Sequence, residues 1–235
     1  TEKTSYPYTG KEICPAIKIM SNADGSQLAE GTDYTVVYAD NISAGTATAT
    51  VTGTGRYTGT LDVKFTISRL SISKASAKLS YTKATYSGNL KKPTAAVKLD
   101  GKTLKSGSDY TIVYKNNRNA GTATATIKGK NNYSSSVKKT FKIQRKSIVK
   151  FSAKLSYTFT GYDGSAKKPK VTVKGRFGGS MKTLLNKGTV GSSKVKISYK
   201  DNTSTGKATV TITGKGNYTG TIKRKFKIAG ETEYG

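Results

Sequence analysis

Side chains able to move protons or attack an electrophile are few in this sequence. Its 235 residues include 13 aspartates and glutamates, no histidine, no tryptophan and one cysteine, Cys14. The usual general base is therefore missing. From Leu70 to Gly230 the only carboxylates are Asp100, Asp109, Asp163 and Asp201. A glycosidase needs two carboxyl groups flanking one bond, and four acids spread this widely do not suggest such a pair. We expect no enzyme and no cofactor. Metal binding is not expected either, since there is no Asp-rich loop, Cys pair or histidine. Asp33 and Asp109 precede equivalent strands, so turn capping is their expected role. The alternative is to serve as the buried acid of a Lys–Asn isopeptide bond. Cys14 cannot form an internal disulfide and is expected on the core side of a strand.

Charge is abundant but unevenly placed. The formal net charge is +28. Residues 1–69 carry 6 basic and 7 acidic side chains, 70–146 carry 17 and 2, and 147–235 carry 18 and 4. Two thirds of the chain is thus strongly basic, which points to an anionic partner or to solubility. Specific nucleic-acid binding is not expected. Only 6 of the 41 basic residues are arginine, the residue that reads phosphates and base edges bidentately, and no aromatic stacking platform is interleaved with the lysines. Four glycosylation sequons start at Asn41, Asn132, Asn202 and Asn217. Asn suits turns, and we assign no glycan to them.

The elements that position these groups recur three times. Asp33-Tyr-Thr-Val-Val-Tyr38, then Asp40-Asn41 and Ala44-Gly-Thr-Ala-Thr-Ala-Thr-Val51, returns 76 residues later as Asp109 to Tyr114, Asn116-Asn117 and Ala120 to Ile127. A third copy runs through Val195 to Tyr199, Asp201-Asn202 and Thr205 to Ile212, 85 residues further on. Tyr57, Tyr133 and Tyr218 recur, as do Phe65-x-Ile67, Phe141-x-Ile143 and Phe226-x-Ile228. At the front of each copy stand Tyr8-Thr-Gly10, Tyr86-Ser-Gly88 and Tyr162-Asp-Gly164.

Each copy alternates apolar and polar residues with period two, the signature of half-buried strands. One face carries Tyr34, Val36 and Tyr38, the next strand Ala47, Ala49 and Val51, and the last Leu61, Val63, Phe65 and Ile67. Lys139 and Arg224 take the place of Val63, a position expected near a sheet end where a long side chain reaches water. With Gly and Asn at the turns, this pattern predicts an all-β fold of three tandem immunoglobulin-like β-sandwich repeats, 1–69, 70–146 and 147–235, arranged as an extended rod. The borders, Ser68-Arg69-Leu70 and Gln144-Arg145-Lys146, hold no proline or glycine, so short, stiff joints are expected.

These motifs resemble the tandem bacterial immunoglobulin-like repeats of Gram-positive gut surface proteins, and the resemblance covers nearly the whole chain. It implies an extracellular location, attached to the cell surface or cell wall, and a role as stalk or adhesin. The sequence reads as a segment of a longer protein, with export and anchoring signals outside it. The first copy lacks a clear counterpart of Lys78 to Tyr81 and Lys154 to Tyr157; either that strand is incomplete in the first copy or Ser5-Tyr6 contributes it. The expected function is a non-catalytic, monomeric cell-surface spacer or adhesin segment. No apolar run approaches the ~20 residues of a membrane helix, so no membrane insertion is expected within it. The alternative is a module that binds a host glycoprotein, such as an immunoglobulin, an acidic glycan or a cell-wall polymer through the basic second and third copies.

The third copy is nine residues longer than the second, and the extra residues lie within 175–193. This insertion carries Arg176, Phe177, Met181, Lys182, Leu184 and Leu185, the candidate ligand-contact loop. Ser180 is expected to cap a short helical turn through Leu184 and Leu185 that ends at Gly188. The competing expectation is that its apolar side chains fold back over an open end of the sandwich.

Overall fold

The computed structural model describes residues 4–230. Every regular element among these described residues is a β-strand. One sheet order occurs three times. In the first copy the order is Ser5–Pro7, Thr60–Ser68, Gly45–Gly53, Tyr34–Ala39. In the second it is Lys83–Thr85, Ser136–Gln144, Gly121–Gly129, Tyr110–Lys115. In the third it is Phe159–Gly161, Thr221–Ala229, Gly206–Gly214, Val195–Lys200. In each sheet the short edge strand pairs in parallel with the last long strand.

Packing gathers the backbone into two compact units. The first draws on residues 4–80, Pro93–Val113 and Ala125–Lys139; the second on Tyr81–Lys92, Tyr114–Thr124 and residues 140–230. In the first unit, Ala47, Ala49, Val51, Phe65 and Ile67 pack with Tyr34, Ile17 and Leu28. A separate cluster joins Ile72, Val97, Leu104, Tyr110, Ile127 and Tyr133. The second unit's core collects Ile148, Phe151, Val171, Val173, Leu184, Val195, Val210, Ile212 and Phe226. Alanines on the inner faces leave room for rings and branched side chains from the opposite layer. The opposite layers are three-stranded: Ser76–Leu79, Ala95–Leu99 and Lys102–Leu104 in one, Ser152–Leu155, Val171–Phe177 and Ser180–Gly188 in the other.

Polar groups tie these layers together. The Tyr34 hydroxyl donates to the Ile17 carbonyl at 2.7 Å, Tyr110 to Ala95 at 2.6 Å and Tyr199 to Pro169 at 2.8 Å. The Tyr34 and Tyr110 rings lie in the core and the Tyr199 ring packs against it, while each polar tip finds a partner. Asn41, Asn117 and Asn202 form the same clasp three times. Their side-chain amides donate to the carbonyls of Ile13, Lys91 and Lys167, and the N–H of each of those residues donates back to the asparagine carbonyl. The preceding Asp40, Asn116 and Asp201 hold φ near +56°, a conformation that Asn and Asp tolerate better than other side chains.

Four expectations need correction. Cys14 is exposed and lies outside any strand; its neighbours Pro15 and Ile17 turn inward instead. Ser5–Pro7 pairs with Thr66 to Ser68, so it matches Lys83–Thr85 and is no substitute for the Lys78 strand. Leu61 is 54% exposed, because no described residue of the first copy packs on it as Ile72 and Ile148 join the clusters of its counterparts Val137 and Ile222. The Val63 position lies mid-strand, opposite Ala49, and not at a sheet end. Arg224 there spans the layers, its Nε donating to the Ala153 carbonyl at 3.0 Å.

Candidate functional site

The insertion of the third copy is a β-hairpin, not a loop with a helical turn. Val171–Phe177 pairs with Ser180–Gly188, and Phe177 lies opposite Ser180. The two residues between them are Gly178 and Gly179, with φ +60° at the first. A glycine with positive φ at the first position makes a tight hairpin turn that matches strand twist. That turn overrides a cap at Ser180, and the β-branched run before it completes the ladder.

This geometry divides the six candidate residues. Leu184 is buried in the core, and Leu185 and Phe177 pack against it. Phe177 meets Phe151 edge-on at 5.7 Å and Tyr218 at 6.1 Å. Lys182 lies 5.1 Å from the Phe177 ring centre and donates to the Ser87 carbonyl at 3.4 Å. Arg176 and Met181 face each other on the outer side, both exposed. Phe177, Leu184 and Leu185 therefore cover the core while Met181 stays outside, and the six do not converge on a ligand pocket.

What the hairpin borders is a joint. The linker Lys146–Ser147 adds in parallel to Tyr218–Thr219; the Lys146 N–H donates to the Asn217 carbonyl and the Ile148 N–H to the Thr219 carbonyl, both at 2.8 Å. Ile148 is fully buried. Tyr86, from the copy before, packs edge-on against Tyr218 at 5.5 Å. The Asn217 side chain accepts from the Ala120 N–H at 2.7 Å and donates to Asn119 at 3.1 Å. Burial, with Tyr86 beside it, pushes the Tyr218 hydroxyl up to about 12.

The first linker is built alike. Leu70–Ser71 adds to Tyr133–Ser134, Ile72 is fully buried, Tyr8 packs edge-on against Tyr133 at 5.6 Å, and the Asn132 side chain accepts from the Ala44 N–H at 2.8 Å. The Arg69 guanidinium donates to the carbonyls of Asn131 and Tyr133. Lys102 lies over both rings, and the Tyr133 hydroxyl raises its pKa. The sequence motif showed Asn-Tyr only as a turn. The signal for a joint was the difference between copies, since Asn132 and Asn217 recur where the first copy has Arg56.

Other candidate chemistry resolves into structure. Asp33 and Asp109 accept from the N–H groups of Ala29 and Lys105 at 2.9 and 2.8 Å, capping their turns. All four sequon asparagines use their side chains in the clasps or joints. No group of three potential metal ligands occurs among the described residues. Asp163 pairs with Lys167, whose ammonium, with Ser165, holds the carboxyl far below its ordinary value.

The remaining feature is a charged face. On the outer side of the third copy's four-stranded sheet, Lys207 lies opposite Lys227, Lys200 and Lys225 flank Thr209, and Ser198 and Lys223 flank Thr211. Lys196, Lys200, Lys207, Lys223, Lys225 and Lys227 are all exposed there. The same face of the first copy carries Asp62 and Lys64, with Asp62 accepting from Thr50 at 2.7 Å.

No protein-family model matches the chain, and no curated protein matches it. Among solved structures it is similar to domains 4–9 of surface layer protein SbsC, at 16% identity over 90% of this chain and 42% of that one, with a TM-score of 0.22. It is similar also to PcdhgB3 EC1-4, at 10% identity over 98% of this chain and 74% of that one, with a TM-score of 0.21. The chain thus spans less than half of the SbsC fragment. Scores this low carry no argument about fold or function, which rest on the chain's own residues. No described helix is long and apolar enough to cross a membrane.

Proposed function

We propose that the chain is a non-catalytic spacer or adhesin segment of a bacterial surface protein, made of three tandem immunoglobulin-like sandwich repeats in an extended rod. Its place is outside the cell, attached to the surface or wall, and it works as a monomer. The observation that carries the reading is the joint. Each linker is a strand of the copy it enters, its isoleucine is core, and an asparagine clamps the turn of the copy before. A flexible tether needs none of these; a module that transmits length and direction needs all of them. Small-angle scattering on the full chain tests this. The expected result is one elongated particle with a narrow distribution of lengths. A compact particle, or a broad distribution from freely hinged modules, would sink the reading.

The lysine face favours a second role on the same scaffold: holding an acidic glycan, a teichoic-acid-like cell-wall polymer or an acidic host glycoprotein such as an immunoglobulin. Threonine hydroxyls between ammonium groups offer donors to sulfate, phosphate or carboxylate along an open sheet, and no acid of the third copy interrupts them in the paired strands. A glycan array read at several salt concentrations separates the two roles. Selective binding lost on reversing Lys207, Lys223 and Lys225 to Glu supports the second; uniform binding of every polyanion, unchanged in that variant, refutes it.

A further inference from the structure

The first copy ends in an unfilled form of a pocket that is filled twice elsewhere in the chain. By the repeat offsets, Val51, Tyr57 and Leu61 correspond to Ile127, Tyr133 and Val137, and to Ile212, Tyr218 and Ile222. In the second copy Ile72 joins Ile127, Tyr133 and Val137 in one cluster. In the third, Ile148 joins Ile212, Tyr218 and Ile222. Each isoleucine arrives on an incoming strand that pairs in parallel with the edge beginning at the tyrosine.

No described residue does this for the first copy. A cleft of about 250 Å³ opens there, bordered by Ile19, Leu28, Tyr57 and Leu61 among others. Leu61 is 54% exposed where its counterpart Ile222 is 5% exposed. Tyr57 is half-buried where Tyr133 and Tyr218 are buried. The edge itself is already shaped. Gly53 permits the same close approach of the Tyr57–Thr58 backbone as Gly129 and Gly214 permit in their copies, a Cβ at any of the three meeting backbone atoms at 2.8 Å or less. Both internal donor strands are flanked by cations, Arg69 in one and Arg145-Lys146 in the other, and the first copy is the one whose acids outnumber its bases.

We propose that this cleft is an acceptor site for the outgoing strand of a further module of the same repeat type, an arginine, one intervening residue and a Ser-Ile pair, as in Arg69 to Ile72 and Arg145 to Ile148. The strand adds in parallel to Tyr57–Thr58, as in other strand-addition complexes. Its amides donate to the carbonyls of Arg56 and Thr58, the counterparts of those used at Asn132 and Ser134, and its isoleucine enters between Tyr57 and Leu61. Arg56 in place of the clamping asparagine makes this a weaker joint than the two internal ones. The inference does not depend on whether the segment is a spacer or a polyanion binder.

The test is titration of a peptide with the sequence of residues 68–74 into the isotopically labelled full chain, followed by NMR. We expect saturable shifts at Val51, Tyr57, Thr58 and Leu61. Affinity should fall at least tenfold for the peptide carrying Ile72→Asp, and for the chain carrying Leu61→Lys, an exposed position whose replacement leaves the core intact. A second arm fuses the peptide to the chain's amino terminus through a flexible linker, which raises its effective concentration to the millimolar range. There the fused strand should raise the first copy's unfolding midpoint relative to the Ile72→Asp fusion. Absence of both effects overturns the proposal. So do equal binding of the Ile72→Asp peptide and shifts confined to the lysine face of the third copy.

Discussion

Replacing Ile148 by alanine tests whether a linker is part of a core. Ile148 has no exposed surface, and its N–H is bonded to Thr219 at 2.8 Å. The substitution removes three buried carbons, which at ~0.8 kcal/mol each amounts to roughly 2.4 kcal/mol in lost transfer energy. The surrounding Val210, Ile212, Tyr218 and Phe226 belong to a tightly shared cluster and cannot fully collapse into the space. A cavity contribution therefore adds to the loss, within the ~2–5 kcal/mol seen for such truncations. For a module of this size each kcal/mol moves the midpoint by ~4–8 °C, so the transition that unfolds the third copy should fall by at least about 10 °C. The assay is calorimetry of the full chain, with Val149→Ala as the control, since Val149 is 59% exposed and a surface change of this kind stays within ~0.5 kcal/mol. A loss under about 1 kcal/mol for Ile148→Ala, or equal effects at the two positions, would show that the linker is a tether and would refute the argument from the joint.

Other expectations follow from single contacts. Gly175→Ala should destabilise the third copy by ~1–3 kcal/mol through overpacking, because the new methyl would sit 2.2 Å from the Phe151 ring; denaturant unfolding measures it. Asn217→Ala should cost ~0.5–1.5 kcal/mol by leaving the Ala120 N–H without its acceptor, detected as faster amide exchange at Ala120. Ser135 holds φ +65° where Gly59 and Gly220 stand in the other copies, so Ser135→Gly should be neutral or stabilising by up to about 1 kcal/mol. Tyr218 keeps its proton up to about 12 in the folded chain, whereas an unfolded tyrosine ionises near 10. The unfolded state then binds fewer protons between those values, and stability should fall as pH rises from about 10 towards 12. Tyr218→Phe should flatten that slope in urea titrations across this range.

The strands were legible because their signal is local. Alternation in Tyr34–Ala39 and its two relatives needs only the residues themselves, and the burial of alternate positions in Gly45–Gly53 follows from it. The hairpin at Gly178-Gly179 was misread because Ser180 through Gly188 carries both a plausible helix cap and two adjacent leucines. What decides between helix and strand there is the partner strand Val171–Phe177, seven residues that the extra length of the insertion extends. Leu61 was misplaced for the converse reason. Its own strand has the right period, but burial depends on an isoleucine from a linker strand, as Ile72 and Ile148 supply in the other copies.

The joints were the least legible feature, and the reason lies in how they are made. Isoleucine in Leu70-Ser71-Ile72 gives no periodic signal, because a two-residue strand is too short to alternate. Its register comes from Tyr133 and Ser134, more than sixty residues away in sequence. Only comparison between copies exposes it. Asn132 and Asn217 stand where the first copy has Arg56, and these two asparagines are the ones that hold the turn of the preceding copy. A repeat unit can therefore be nearly uniform in its strands while its end positions change with the neighbour each end must meet. The third copy carries this furthest. Its hairpin adds Phe177 and Lys182 to the contact around Tyr86 and Gly88, so the nine additional residues enlarge a joint.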